Sequence, residues 1–173
     1  MMRLLIGILI IFSLLITSCT IQHSNNNEWF KRQGLNLTEC GIAATANVLR
    51  WNGYSVSNTD IRNYHKTPLW WSYVQITDVF NKYNINYLMI NSTIDNLAKL
   101  KENELALLYI NNNHFIVVSN LNNNFTVYDS IIGIYNSNVN DVFDKISFQS
   151  INRKYMFIKI KNCYFVKFCE AKC

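Results

Sequence analysis

Cys40 is the first residue of this sequence whose type and position indicate chemistry. It opens the predicted helix "CGIAATANVLRWN", and a cysteine in the first turn lies at the positive end of the helix dipole, which favours the thiolate. Cysteine is also a common small residue of protein cores, so position alone leaves both packing and reactivity open. A reactive role for Cys40 requires a base and a group that orients the base.

His114 and Asp129 are the residues best placed to supply these two groups. His114 opens the apolar segment "HFIVVSN" after an Asn-rich turn, where a histidine can also be an ordinary turn residue, and Asp129 ends the next segment, "FTVYD". Two such segments are typical of an antiparallel hairpin, in which the end of the second strand returns beside the start of the first. We therefore predict that His114 and Asp129 are neighbours, and that with Cys40 they activate a thiol for attack on a carbonyl.

Gln33 adds a fourth polar group seven residues before Cys40. An amide N–H of its side chain can donate to the oxyanion that forms when a carbonyl is attacked. The backbone N–H of Cys40, at the start of the helix, is the natural second donor. The sequence thus predicts an oxyanion site next to the nucleophile.

Helical patterns come first along the chain and strand patterns follow. Predicted helices cover residues 39–52, 57–65 and 71–84, and the third is expected to place Val74, Val79, Phe80 and Tyr83 on one side. Strands are predicted at 85–90, 104–110, 114–120, 125–130 and 154–161, with short helices at 93–101 and 138–146. This order predicts an α+β fold in which N-terminal helices pack on an antiparallel β-sheet.

The two motifs together resemble a known family. "Q…ECGIAATANVLRWNGY" followed by "HFIVVSN…FTVYDS" is similar to the papain-like bacteriocin-processing peptidases, often called double-glycine leader peptidases, over residues 29–160. The resemblance implies a papain-like cysteine peptidase fold. It also implies that Cys40 is the nucleophile, His114 the general base, Asp129 the orienting carboxylate and Gln33 the oxyanion donor.

The resemblance further implies hydrolysis of a peptide or amide bond through a thioester, with a peptide or protein as the substrate. No cofactor is expected, and no metal is expected because the spacing of the C-terminal cysteines matches no zinc pattern and no histidine lies nearby. Transfer of the acyl group to another acceptor by the same residues stays open. The alternative is a non-catalytic peptide-binding or interaction protein on the same fold. Lysines and arginines are scattered despite the net charge of +5, so nucleic acid is not an expected partner.

The N-terminal segment "MMRLLIGILIIFSLLITSC" has the pattern of a signal peptide, with a positive start, an apolar run and small residues. Its last four residues resemble a bacterial lipobox, which predicts a signal peptide at 1–18 and a lipid on Cys19. An ordinary secreted protein and an uncleaved anchor are the alternatives. The lipid would hold the protein on the extracytoplasmic side of a bacterial cell membrane, followed by a polar tether at 19–28.

The remaining chain is predicted to hold one domain at 29–161 and a C-terminal tail at 162–173. The tail contains Cys163, Cys169 and Cys173, among which one disulfide is plausible in an exported protein. Trp70 and Trp71 are adjacent, and two adjacent residues of a helix cannot both point inward. One of them is therefore predicted to line a substrate groove, although packing explains either tryptophan as well.

Overall fold

The computed structural model describes residues 27–33, 39–65, 71–111, 113–121, 124–146 and 156–161. Several predicted features lie outside these residues: the signal peptide, the lipidation site Cys19, most of the tether, Trp70 and the cysteine-containing tail. Among the described residues, no helix combines the length and the apolar character that a membrane crossing needs.

Three helices precede the sheet, as predicted. They are α1 (Cys40–Trp51), α2 (Asn58–Tyr64) and α3 (Tyr73–Lys82), after a 3-10 turn at Asn27–Trp29. Helices α2 and α3 each begin with a capping box, because Ser57 pairs with Asp60 and Ser72 pairs with Gln75. Two short helices follow, α4 (Ile94–Ala98) and α5 (Val139–Phe143).

Six antiparallel strands form one sheet with the order β1-β6-β2-β3-β4-β5. They are β1 (Tyr87–Asn91), β2 (Glu104–Ile110), β3 (His114–Leu121), β4 (Asn124–Asp129), β5 (Gly133–Ser137) and β6 (Met156–Lys161). The predicted α+β class, with helices first and an antiparallel sheet after them, is confirmed. The sequence analysis missed β5, whose residues alternate between half-buried and exposed and so lack the apolar run of the other strands.

The sheet has an apolar core on each face. One core holds α1, α3 and the sheet residues that face them, and the other lies under α4 and α5. Helix α1 is buried along most of its length and packs against β3, which carries His114. The two elements that bear Cys40 and His114 therefore belong to the same packed core.

The prediction that Val74 lies on the same side of the third helix as Val79 and Phe80 is wrong, since those two are buried and Val74 is 50% exposed. Helix α3 begins at Tyr73, and Tyr73, Ile76 and Phe80 follow the helical spacing of the buried face. Val74 is one residue out of that phase, about 100° around the helix axis. Val79 is buried as predicted.

The segment before α1 is held on the sheet by aromatic contacts. The ring centroids of Trp29 and Phe30 lie 4.5 Å and 5.8 Å from that of Tyr128 in β4. These ring contacts fasten the segment that precedes α1 to β4. Gln33 follows three residues later on the fastened segment.

Candidate active site

Cys40 is the first residue of α1 and is nearly buried, with 6% of its surface exposed. It is a free thiol, and its Sγ lies 3.7 Å from the backbone carbonyl of Asn113. The preceding Glu39 is also buried, and its carboxylate pairs with the guanidinium of Arg62 in α2. This pair balances a negative charge that would otherwise oppose a thiolate at Cys40.

His114 is the first residue of β3, and its Nε2 lies 3.0 Å from Oδ1 of Asp129. The ring also interacts directly with the Cys40 side chain. Because Nε2 faces the carboxylate, Nδ1 is the ring nitrogen that remains for the sulfur. The imidazole therefore lies between the thiol and the carboxylate, which is the order that a nucleophile, a base and an orienting group require.

The hairpin register explains why Asp129 reaches His114. Val117 pairs with Tyr128 across β3 and β4, so Asp129 stands beside Ile116, two residues from His114 along the strand. Residues two apart point to the same face of a sheet, and diagonal neighbours lie within reach of long side chains. Asp129 is itself fixed, since its Oδ1 accepts hydrogen bonds from the backbone N–H of Ile131 at 2.8 Å and of Ile132 at 3.1 Å.

Contacts among the three residues shift two of their pKa values. Burial alone would lower the pKa of His114, but its interactions with Asp129 and Cys40 outweigh burial and raise it to about 9. Burial alone would raise the pKa of Asp129, but contact with His114 and with the two backbone N–H groups lowers it below its ordinary value. At neutral pH the site therefore contains an imidazolium beside a carboxylate.

The titration of His114 can be measured by NMR of the imidazole nitrogens, with the signal assigned through His114→Gln. We expect a pKa near 9, and a lower one in Asp129→Asn because the neutral amide attracts the imidazolium less. Since the folded-state pKa is raised above 6.5, the charged ring contributes stability that is complete below about pH 6.5 and is lost as the pH rises through about 9. A His114 that titrates at or below 6.5 would show that its contacts do not outweigh burial.

Gln33 is held at the turn that follows Asp129. Its backbone N–H donates to the carbonyl of Ser130 at 2.9 Å, and the hydroxyl of Ser130 donates to its Oε1 at 2.6 Å. Upstream, the side chain of Asn47 in α1 accepts from the N–H of Lys31 and donates to its carbonyl. The structure thus connects Gln33 to both α1 and the β4–β5 turn, and the oxyanion role of Gln33 stays a prediction.

Trp71 is buried, with 9% of its surface exposed, and it packs against the start of α1. A Cβ at Gly41 would lie 2.6 Å from the Cβ of Trp71, so only glycine permits this approach. The edge of the Trp71 ring also meets His65, with the centroids 5.8 Å apart. Packing accounts for Trp71 in this structure, and a contact between either tryptophan and a substrate stays a prediction.

Three further residues, Tyr109, Asn113 and Ser130, contribute to this site and were not predicted from the sequence. Tyr109 in β2 lies near the nucleophile, since burial and the charge of Cys40 raise its pKa. Asn113 contributes its backbone carbonyl, which contacts the Cys40 sulfur. A sequence pattern of side chains cannot predict a contact that the backbone makes. Ser130 contacts a residue 97 positions away in the chain, and its place directly after Asp129 was the only available signal.

Solved structures that are similar to this fold include two peptidase domains. One is a double glycine motif protease from an AMS/PCAT transporter in complex with the leader peptide; it is 14% identical, with a TM-score of 0.59 over 76% of this chain and 90% of that one. The other is the peptidase domain of Streptococcus ComA, a bifunctional ABC transporter involved in a quorum-sensing pathway; it is 16% identical, with a TM-score of 0.59 over 76% and 98%. Comparison with curated protein sequences gave no match.

The architecture shared with these domains is that of the papain-like cysteine peptidases, as the sequence analysis predicted. Residues 31–150 match the peptidase C39 family. The chain belongs to the peptidase C39 family, and the resemblance to double-glycine leader peptidases is confirmed.

Proposed function

We propose that this protein is a cysteine peptidase that hydrolyses a peptide or amide bond through a thioester intermediate. One observation carries the proposal: the His114 ring lies against Asp129, with 3.0 Å between Nε2 and Oδ1, and interacts on its other side with Cys40. Membership of the peptidase C39 family supports the same activity. Cys40 is the nucleophile, His114 the general base and acid, and Asp129 the group that orients the ring.

In the first step, the Cys40 sulfur attacks the carbonyl carbon of the substrate and its proton resides on His114. The carbonyl π electrons move to oxygen, and a tetrahedral oxyanion forms. When this intermediate collapses, the C–N bond breaks and His114 gives its proton to the departing amine. The products of this step are a free amine and an acyl group bound to Cys40 as a thioester.

In the second step, His114 removes a proton from water, and the hydroxide oxygen attacks the thioester carbonyl. The new tetrahedral intermediate expels the Cys40 sulfur, which regains the proton from His114, and a carboxylic acid leaves. Asp129 keeps the ring in one orientation through both steps. Transfer to an amine acceptor in place of water would follow the same course.

The oxyanion needs donors in both steps. The first N–H groups of a helix have no partner within the helix, so the N–H of Cys40 is available where the oxyanion forms. We assign the second donor to the side-chain amide of Gln33, which is buried and fastened to the turn after Asp129. Removal of one such donor typically lowers kcat by roughly 10²- to 10³-fold.

The proposed substrate is a peptide or protein. A similar structure holds a leader peptide, which supports a peptide as the ligand. We also propose that a lipid on Cys19 attaches the protein to the extracytoplasmic side of the membrane, on the strength of the lipobox-like sequence. Incorporation of a labelled fatty acid into the full chain, absent from Cys19→Ala, tests the anchor.

Peptide cleavage can be tested with a mixture of peptides derived from a bacterial proteome, followed by mass spectrometry of the new termini. We expect the full chain to generate new termini, and Cys40→Ala to generate none, because the alanine variant has no nucleophile. Cys40→Ala should retain the fold, since it removes one sulfur atom. If the wild type and Cys40→Ala yield the same set of peptides, the peptidase proposal is contradicted. Peptides that both proteins bind without cleaving them would favour the binding protein instead.

A further inference from the structure

We propose that Ser130 is a positioning residue for catalysis, whose hydroxyl fixes the direction in which the Gln33 amide donates. The inference rests on the proposed function, in which Gln33 donates to the oxyanion. Ser130 itself touches no reacting atom in this scheme. It acts through Gln33, by holding the amide oxygen on the side away from the substrate.

A hydrogen bond joins the side chains of Ser130 and Gln33. Ser130 Oγ lies 2.6 Å from Gln33 Oε1, and both residues are buried, at 2% and 9% exposure. An amide oxygen carries no hydrogen, so the serine hydroxyl must be the donor. An unsatisfied buried amide oxygen is costly, which disfavours any rotation of the amide that breaks this contact.

The same hydrogen bond sets the direction of the NH₂ group of Gln33. The side-chain amide of glutamine is planar, with its oxygen and its NH₂ on opposite branches. A bond that holds Oε1 on Ser130 therefore directs the NH₂ away from Ser130. A flipped amide would turn its oxygen toward the oxyanion, where two negative oxygens repel each other, so the orientation decides whether Gln33 can help.

The turn after β4 holds both Gln33 and Asp129. The carbonyl of Ser130 accepts from the N–H of Gln33 at 2.9 Å, so the two residues are joined twice. The next two residues, Ile131 and Ile132, donate their N–H groups to Asp129. The Ser130–Ile132 turn thus fixes the oxyanion donor and the orienting carboxylate relative to each other.

Two reagents separate this role from a general structural one. Iodoacetamide alkylates Cys40 when the sulfur displaces iodide from carbon, and no oxyanion forms. p-Nitrophenyl acetate acylates Cys40 through a tetrahedral oxyanion, which collapses to an acetyl thioester and p-nitrophenolate. The ratio of the acylation rate to the alkylation rate at Cys40, followed by mass spectrometry of the full chain, therefore reports oxyanion stabilisation alone.

We expect Ser130→Ala to lower this ratio by about 10-fold, since the amide keeps its NH₂ but loses its fixed direction, and Gln33→Ala to lower it by about 100-fold. The double variant should match Gln33→Ala, because Ser130 has no role without Gln33. Ser130→Thr, which keeps the hydroxyl, should retain most of the ratio. Ser119→Ala is the matched control, since Ser119 lies in β3 and contacts Tyr128 instead, and it should change nothing.

The outcomes distinguish the two proposals. If Gln33→Ala lowers the ratio and Ser130→Ala does not, the positioning role of Ser130 is wrong and the peptidase proposal stands. If the effects of the two substitutions on the ratio multiply in the double variant, Ser130 acts independently of Gln33 and the inference is again overturned. If Gln33→Ala leaves the ratio unchanged, the oxyanion role of Gln33 fails, and the role of Ser130 fails with it. A fall in melting temperature with an unchanged ratio identifies a purely structural serine.

Discussion

Replacing His114 by alanine is expected to slow the alkylation of Cys40 by iodoacetamide about 100-fold at roughly pH 6, where an ordinary cysteine is almost entirely protonated. Alkylation requires the thiolate. In the wild-type protein the His114 ring contacts the Cys40 side chain, and we expect its positive charge to favour the negative sulfur. Alanine removes both the charge and the proton acceptor.

The measurement is the alkylation rate of each cysteine across about pH 5 to 9, with adducts assigned by mass spectrometry. Near pH 9 the difference between the proteins should shrink, because an ordinary thiol also ionises there. His65→Ala is the control. His65 also lies near a carboxylate, with 3.7 Å between its Nε2 and Oδ2 of Asp78, but it has no proposed role in catalysis. Equal rates for wild type and His114→Ala at low pH would exclude His114 as the activating base.

Replacing Gly41 by alanine is expected to destabilise the protein by about 3 kcal/mol, the upper part of the range for overpacked cores. The new Cβ would lie 2.6 Å from the Cβ of Trp71 and 3.3 Å from Cδ2 of Phe115. Neither contact can be relieved by a flexible side-chain end, because one is close to the backbone and the other belongs to a buried ring. The start of α1, which carries Cys40, would have to move.

The sign of this effect is the test. In an ordinary helix interior, glycine to alanine is stabilising by up to about 1 kcal/mol, whereas we expect a melting temperature lower by roughly 6 to 12 °C. Alkylation of Cys40 should slow as well, since the sulfur is displaced from His114. A variant that is more stable than the wild type would show that Trp71 does not pack as closely against the start of α1 as the structure describes.

The sequence predicted those parts of the fold that depend on local pattern. Strand β2 occupies the predicted residues 104–110, because an unbroken apolar run between polar turns leaves little choice of ends. The meeting of His114 and Asp129 was also predictable, since antiparallel pairing of two strands joined by a short turn fixes which residues are neighbours. Val74 was misplaced because a shift of one residue changes the buried face of a short helix.

Long-range placement could not be predicted from pattern. Strand β6 enters the sheet between β1 and β2, and no local feature of its sequence reports which strands will flank it. The same holds for Gln33 and Ser130, whose contact joins residues 97 positions apart. Tyr109 appeared to be one more apolar strand residue, and only the pairing of β2 with β3, which packs on α1, brings it near Cys40.

The central claim is that Cys40 forms a thioester with the substrate during cleavage. It can be tested by acid quenching of the full chain during reaction with the peptides that it cleaves, followed by mass spectrometry of the fragment that contains Cys40. We predict that this fragment carries the N-terminal part of the cleaved peptide as an acyl group, that hydroxylamine removes it, and that His114→Ala shows almost none. Cleavage that continues while Cys40 stays unmodified, at a rate that Cys40→Ala matches, would contradict the account.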